Sequence, residues 1–233
     1  MSTAKPGTLY IVSTPIGNLK DITLRALDVL REVDFVACED TRVTLKLLNR
    51  YEIKKPLISY HSKSTASVQA RLSRLLLEGK NVALVSDSGT PVISDPGSTL
   101  IRHSIEIGIQ TVPIPGPSSV HTVLMASGIP LSEYTFIGFL SSKASRRKKA
   151  LSELKKHKTV FIFFESPHRI ISFLEDVIAS LGPVQGCVGK EMTKMFERFY
   201  RGDIAEILRR MRENGVKGEY TVIIDNRENM GYK

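Results

Sequence analysis

The chain has 233 residues, 42% of them apolar and 24% charged, which suits one large or two small globular domains with a sizeable core. No run approaches the ~18 apolar residues of a membrane-spanning helix, so no membrane association is expected. The formal charge of +9 favours an anionic partner.

The opening MSTAKPG runs straight into an apolar segment without a leader pattern, so no signal peptide is expected. TLYIVS (8–13) reads as a short buried strand. A helix follows from Asp21 to Val33, with Ile22, Leu27, Leu30 and Val33 on one side and Asp21 as its N-cap. DFVAC (34–38) is the next strand, Thr41 to Tyr51 the next helix and LISY (57–60) the third strand. Ser64 to Glu78 has the apolar spacing of an amphipathic helix, and Gly79 sits where a C-terminal glycine belongs. NVALVS (81–86) is a strand, Ser98 to Ile107 a helix closed by Gly108, and QTVPI (110–114) a strand.

Short apolar strands alternating with helices predict a mostly parallel sheet covered on both faces. Ligands of such sheets sit beyond the carboxyl ends of the strands. Three loops leave the sheet there: STPIGN (13–18), CEDTR (38–42) and VSDSGTPVISDPG (85–97). PIPGPSS (113–119), with three prolines and a glycine, marks a hinge between an N-terminal α/β domain (1–115) and a C-terminal one (116–233).

The second half reads as TFIGFL strand (135–140), a basic helix (about 145–157), TVFIFF strand (159–164) and Pro167 to Ser180 helix. After VQGCV (184–188) come a helix from Asp203 to Glu213 and the strand EYTVIID (219–225). This is a mixed α/β domain. From Lys143 to Lys158 there are eight basic residues and one acid. Such a run is either a solvated helix face or a surface for phosphates.

Familiar site signatures are missing. There is no G-x-G-x-x-G, Walker lysine motif or G-x-S-x-G elbow. The histidines at 61, 103, 121, 157 and 168 show no ligand spacing, so no metal is expected. Cys38 and Cys187 form no metal pair and are expected as buried free thiols in a reducing compartment. What remains is a rim of glycines, which let a backbone approach a ligand, and prolines, which stiffen a loop before binding. That suits a polar, zwitterionic small molecule.

STPIGNLKDIT (13–23), CEDTR, VSDSGTPVISDPG, PIPGPSS, GFLSSKASRRKK (138–149), FFESPHR (163–169) and KEMTK (190–194) occur in this order. Together they resemble the ribosomal RNA small subunit methyltransferase I family, in the tetrapyrrole-methylase superfamily of class III S-adenosylmethionine methyltransferases. The resemblance covers about residues 7 to 226. It implies two α/β domains of the tetrapyrrole-methylase type, a parallel N-terminal and a mixed C-terminal sheet, and the methyl donor in the cleft between them. It also implies a cytoplasmic homodimer that methylates the ribose 2′-hydroxyl of a cytidine in the decoding region of 16S rRNA, within the small ribosomal subunit. Many members continue past the last strand; contacts made there are expected to be absent or replaced after Asp225.

Carried over by motif, the donor-binding residues are Pro15, Ser88, Gly89, Thr90, Ser118, Ser119, Phe164, Glu165 and Lys190. The rim carboxylates Glu39, Asp40, Asp87, Asp95 and Glu165 are the candidate bases. Glu39 or Asp40 is preferred, because CEDTR joins them to Arg42, and His61 is the alternative. Asp95-Pro96-Gly97 is read as a turn into the next helix. RNA phosphates are expected on Arg42, Arg146, Arg147, Lys148 and Lys149, with His168 and Arg169 beside the cleft. Two other readings compete: a superfamily enzyme acting on a small molecule or protein side chain, and a non-catalytic ribosome-binding protein.

Overall fold

A computed structural model describes residues 5–61 and 66–227. The chain divides into two compact units, residues 1–118 and 119–233.

The first unit holds five strands: β1 (Thr8–Val12), β2 (Phe35–Cys38), β3 (Leu57–Ser59), β4 (Val82–Val85) and β5 (Gln110–Ile114). They form one parallel sheet in the order β3-β2-β4-β1-β5. The helices between them are α1 (Leu24–Glu32), α2 (Thr41–Arg50), α3 (Ala66–Leu77) and α4 (Ser98–Glu106). Successive strand residues point to opposite faces, and both faces are dry. Val12, Ala83 and Val85 pack with Leu27, Leu30 and Leu47 of α1 and α2. Leu9, Val82 and Leu84 pack with Leu72, Leu76 and Leu100 of α3 and α4. This is why β4 is apolar at every position rather than at alternate ones.

One helix start is corrected. Asp21 does not cap α1; it closes a separate 3-10 turn, Leu19–Asp21, capped by Asn18. The chain is extended at Ile22 and Thr23, and Thr23 Oγ1 accepts from Ala26 N at 3.2 Å. The start expected at Ser64 lies outside the described residues.

The second unit carries α5 (Ser119–Ser127), β6 (Tyr134–Gly138), α6 (Ala144–Leu154), β7 (Val160–Glu165), α7 (Ile170–Leu181), β8 (Gln185–Lys190), β9 (Arg198–Asp203), α8 (Ile204–Asn214) and β10 (Tyr220–Asp225). Its sheet runs β6-β7-β10-β8-β9, parallel only between β6 and β7. One core lies between this sheet and α6, α7 and α8, built on Phe161, Phe163, Phe173, Val222 and Ile207. Strand β9 is missing from the sequence reading. It is an edge strand, RFYRGD, whose arginines hide its period. Helix α7 begins at Ile170, not Pro167, because Ser166 to Arg169 form a turn.

Candidate functional site

The loops of the first unit leave its sheet at one level. Val12 lies opposite both Val85 and Ile114, and Ala37, one residue before the end of β2, lies opposite Leu84. The register therefore gathers the four sequence motifs on one rim.

Hydrogen bonds then knit them together. Thr14 N donates to Gly89 O at 2.9 Å, and Gly89 N returns a bond to Thr14 O at 3.1 Å. Ser13 Oγ donates to Thr90 Oγ1 at 3.2 Å, and Thr90 Oγ1 donates to Pro117 O at 3.2 Å. Ser86 Oγ donates to Gly89 O at 2.8 Å. On the other side, Asp87 Oδ1 accepts from Asp40 N at 3.0 Å, tying CEDTR to the β4 loop.

Gly89 has φ +83°, and a Cβ there would stand 3.2 Å from Ile16 Cγ2. Gly97 has φ +137°, and its Cβ would meet Leu84 Cδ2 at 2.8 Å. Between them Val92 and Ser94 are held at φ 76° and 68°. A β-branched residue in that region costs on the order of 1–3 kcal/mol and persists only where its surroundings impose it. The β4 loop is a constrained ledge. Of the expected donor-binding residues here, Pro15 and Gly89 are buried, Thr90 and Ser118 half-buried and Ser88 exposed.

The carboxylates divide into two kinds. Asp40, one of the expected bases, is engaged in the fold. It caps α2, accepting from Arg42 N at 2.8 Å, and its Oδ2 lies 2.5 Å from Arg42 Nη2. The Arg42 side chain and backbone hold its carboxyl down at about 2, so it is a feeble proton acceptor. Glu39 is pushed upward by burial and by Asp87, with His61 opposing. Asp95 is pushed up to about 6 by burial, then by Glu39 and Asp87. Crowding of like charge in a half-buried place produces this. Asp95-Pro96-Gly97 does lead into α4, yet Gly97 is the cap position and no side chain caps the helix. Asp95 therefore does not cap α4. Among the described residues no group of three or more His, Cys, Asp or Glu is placed to hold a metal ion.

In the second unit, Tyr220 on β10 lies between Glu165 on β7 and Lys190 on β8, so these two expected residues end adjacent ladders. Phe164 is met edge-on by Phe136 and Phe139, with ring centroids at 5.0 and 5.6 Å. Glu165 is 2% exposed. Its Oε1 accepts from Ser166 N and Arg169 Nε, both at 2.7 Å, while buried Oε2 has no partner. Lys190 Nζ donates to Gly215 O at 3.2 Å. Ser119 opens α5. Past Lys190, Glu191 and Thr193 are again at positive φ, 49° and 65°.

The basic set also divides. Arg147 is buried; its Nε donates to Asp176 Oδ2 at 2.7 Å and Nη2 lies 2.6 Å away. It holds α6 to α7, so its guanidinium is turned away from the solvent where a phosphate was expected to meet it. Arg169 is likewise held by Glu165 and by Leu140 O. Arg146, Lys148, Lys149 and His168 are exposed, though Lys148 Nζ is 3.5 Å from Asp176.

Comparison with known proteins decides the family. The model of the "Tetrapyrrole (Corrin/Porphyrin) Methylases" matches residues 8–208. The "Ribosomal RNA small subunit methyltransferase I" of Halalkalibacterium halodurans is 46% identical over 94% of this chain and 76% of its own. The chain belongs to the ribosomal RNA small subunit methyltransferase I family. The protein of the same name from Thermotoga maritima is 44% identical over 95% of this chain and all of its own. Solved structures agree in fold alone. A uroporphyrin-III-C-methyltransferase from Thermus thermophilus gives a TM-score of 0.66 at 19% identity, covering 94% of both chains. A cobalt precorrin-4 methyltransferase gives 0.67 at 20%, covering 93% and 94%.

Membership makes the protein an S-adenosylmethionine-dependent methyltransferase. Within the first unit Gly89 leaves open the space that a Cβ would fill; within the second, buried Glu165 Oε2 has an unused acceptor position. Sequence reasoning missed Ser13, Thr14 and Ser86, whose hydroxyls build the ledge. The hydroxyl pair Ser13-Thr14 ahead of Pro15, and Ser86 at the end of the VALV run, were their available signals. It also placed Asp87 and Asp95 below Asp40.

Proposed function

We propose that the protein methylates the 2′-hydroxyl of a cytidine in the decoding region of 16S rRNA, acting on the small ribosomal subunit as a homodimer in the cytoplasm. The observation that carries this reading is the identity of 46% over 94% of the chain with a protein of that family name. The exposed cations Arg146, Lys148 and Lys149 support an anionic polymer as substrate.

The ledge of Pro15, Ser88, Gly89 and Thr90, with Ser118, lines the methyl donor in the first unit. Ser119, Phe164, Glu165 and Lys190 are the donor contacts of the second. When bound, S-adenosylmethionine supplies an electrophilic methyl group on a sulfonium leaving group. The protein's own task is then to place an oxygen in line with that carbon and to take its proton. Asp95 is the base in this scheme. The ribose O–H bond breaks as its proton moves to the carboxylate, and the oxygen electron pair forms the new O–C bond. The sulfonium of a bound donor would keep the electron pair of its bond to that carbon. Burial first, and then Glu39 and Asp87, keep Asp95 basic enough to serve near neutral pH. His61 steadies Glu39 electrostatically.

Labelled S-adenosylmethionine and small subunits lacking the modification provide the test. The expected result is label in 16S rRNA on a ribose oxygen. Label on a tetrapyrrole or a protein side chain alone would favour the broader superfamily reading. Donor binding without transfer to any acceptor would sink the enzymatic one.

A further inference from the structure

We infer that the solvent face of α2, with the pocket at its C-terminal end, is a second binding surface for single-stranded ribosomal RNA. Lys46, Arg50, Lys54 and Lys55 hold phosphates, and the pocket takes one unstacked base. The inference rests on the rRNA reading above.

Thr44, Leu47 and Leu48 face the core. The helical period therefore turns Arg42, Lys46 and Arg50, at i, i+4 and i+8, to solvent on one line. The loop after the helix adds Lys54 and Lys55. Residues 41–55 hold these five cations against one acid, Glu52. Arg42 is paired with Asp40. Lys46, Arg50 and Lys54 are exposed and Lys55 half-buried, and none makes an ion pair with a described residue. On α6, by contrast, Arg147 and Lys148 both lie against Asp176. A cation in the last helical turn gains about 0.3–1 kcal/mol from the macrodipole. That explains Arg50. It leaves the others as a line of mutually repelling charge, which an anionic strand would relieve.

The pocket beside this line has a volume of about 400 Å³. Leu45, Leu48, Ile53 and Pro56 form its apolar walls, with Asn49, Lys54 and Lys55 at the polar edge. Leu45 is 48% exposed, so this wall is open to a ligand. Proteins read single-stranded RNA by sheltering splayed bases against flat or apolar side chains while cations hold the backbone. Asn49 adds an amide able both to donate to a base edge and to accept from it. The helix begins just after Asp40, the neighbour in sequence of Glu39, and runs about 15 Å over its ten residues. A strand with its reacting ribose beside Glu39 and Asp95 would reach the pocket within a few nucleotides.

The test uses the full chain with two charge-reversed doubles, Lys46→Glu with Arg50→Glu, and Lys54→Glu with Lys55→Glu. Arg71→Glu with Arg74→Glu, exposed on α3, controls for bulk charge. Binding to unmodified small subunits and to a single-stranded 16S rRNA fragment is measured between 50 and 200 mM salt, with donor affinity alongside. Each α2 double should lower the slope of log K against log salt by about 1.5, from ~0.7–0.9 per phosphate lost. Affinity should fall at least about ten-fold at the lower salt, with donor affinity unchanged. Leu45→Asn should weaken binding without changing the slope. Unchanged binding by both doubles, or an equal loss in the α3 control, overturns the inference. So does a loss on subunits but not on the RNA fragment, which would make a ribosomal protein the occupant. A wild-type chain that binds no rRNA at all overturns the rRNA reading itself, a separate outcome.

Discussion

Thr14 and Gly89 exchange a reciprocal pair of backbone hydrogen bonds, an isolated antiparallel bridge between loops 75 residues apart in the chain. Everything proposed for the donor ledge depends on this closure. It sets the backbone of the β4 loop against the β1 loop and leaves Gly89 at φ +83° with Ile16 beneath it.

Gly89→Ala therefore meets two obstacles, a left-handed backbone and Ile16 Cγ2. The backbone term alone is about 1–2 kcal/mol. Donor affinity measured by calorimetry should fall on the order of ten-fold, matching ~1.4 kcal/mol, with a modest loss in urea midpoint. Full donor affinity in a properly folded variant would remove Gly89 from the ledge.

The two carboxylates of the rim should separate cleanly. Asp95→Asn should lower methyl transfer about 10²–10⁴-fold, the usual contribution of a positioned base. Asp40→Asn, which can still cap α2, should leave it within a few-fold. Because Asp95 must be ionised to accept a proton and titrates at about 6, the wild-type rate should rise between pH 5 and 7 and then level. Glu39→Gln removes a charge that raises Asp95, so the rising limb should move to lower pH. Flat profiles in the wild type would exclude Asp95.

Stability carries the opposite sign at the same residue. The folded value lies above the ordinary 3.8, so the neutral form contributes stability that is full below about pH 4. It is lost as pH rises through about 6. Asp95→Asn should melt higher than wild type at pH 8, and the gap should close at pH 4. A variant less stable than wild type at pH 8 would contradict the charge crowding.

Arg147→Ala leaves the buried Asp176 with only the exposed Lys148 at 3.5 Å and should cost about 3 kcal/mol by urea unfolding. Arg146→Ala, one residue away and exposed, should change stability by no more than about 0.5 kcal/mol while lowering the salt slope of RNA binding. The opposite order would reverse the assignment of these neighbours.

Cys38 and Cys187 are both buried, and burial raises both thiols, Cys187 to about 11. Neither should react appreciably with a thiol reagent at pH 8 until the chain unfolds. Rapid labelling of the native protein would show that one of these sites opens.

The sequence by itself determined the strand-helix alternation of the first unit, because fully buried parallel strands need unbroken apolar runs such as Val82–Val85. It also determined the family, because seven motifs in order carry more information than any one loop. Strand β9 escaped it, since Arg198 and Arg201 interrupt the apolar period. Residue roles escaped it for a different reason. Arg146 and Arg147 are indistinguishable in a basic run, and only the helix phase against Asp176 buries one and exposes the other. Asp40 and Asp95 are likewise both rim carboxylates on paper. Tertiary structure gives one an arginine partner and the other a half-buried place beside two acidic neighbours, and burial with that field sets their affinities for a proton apart.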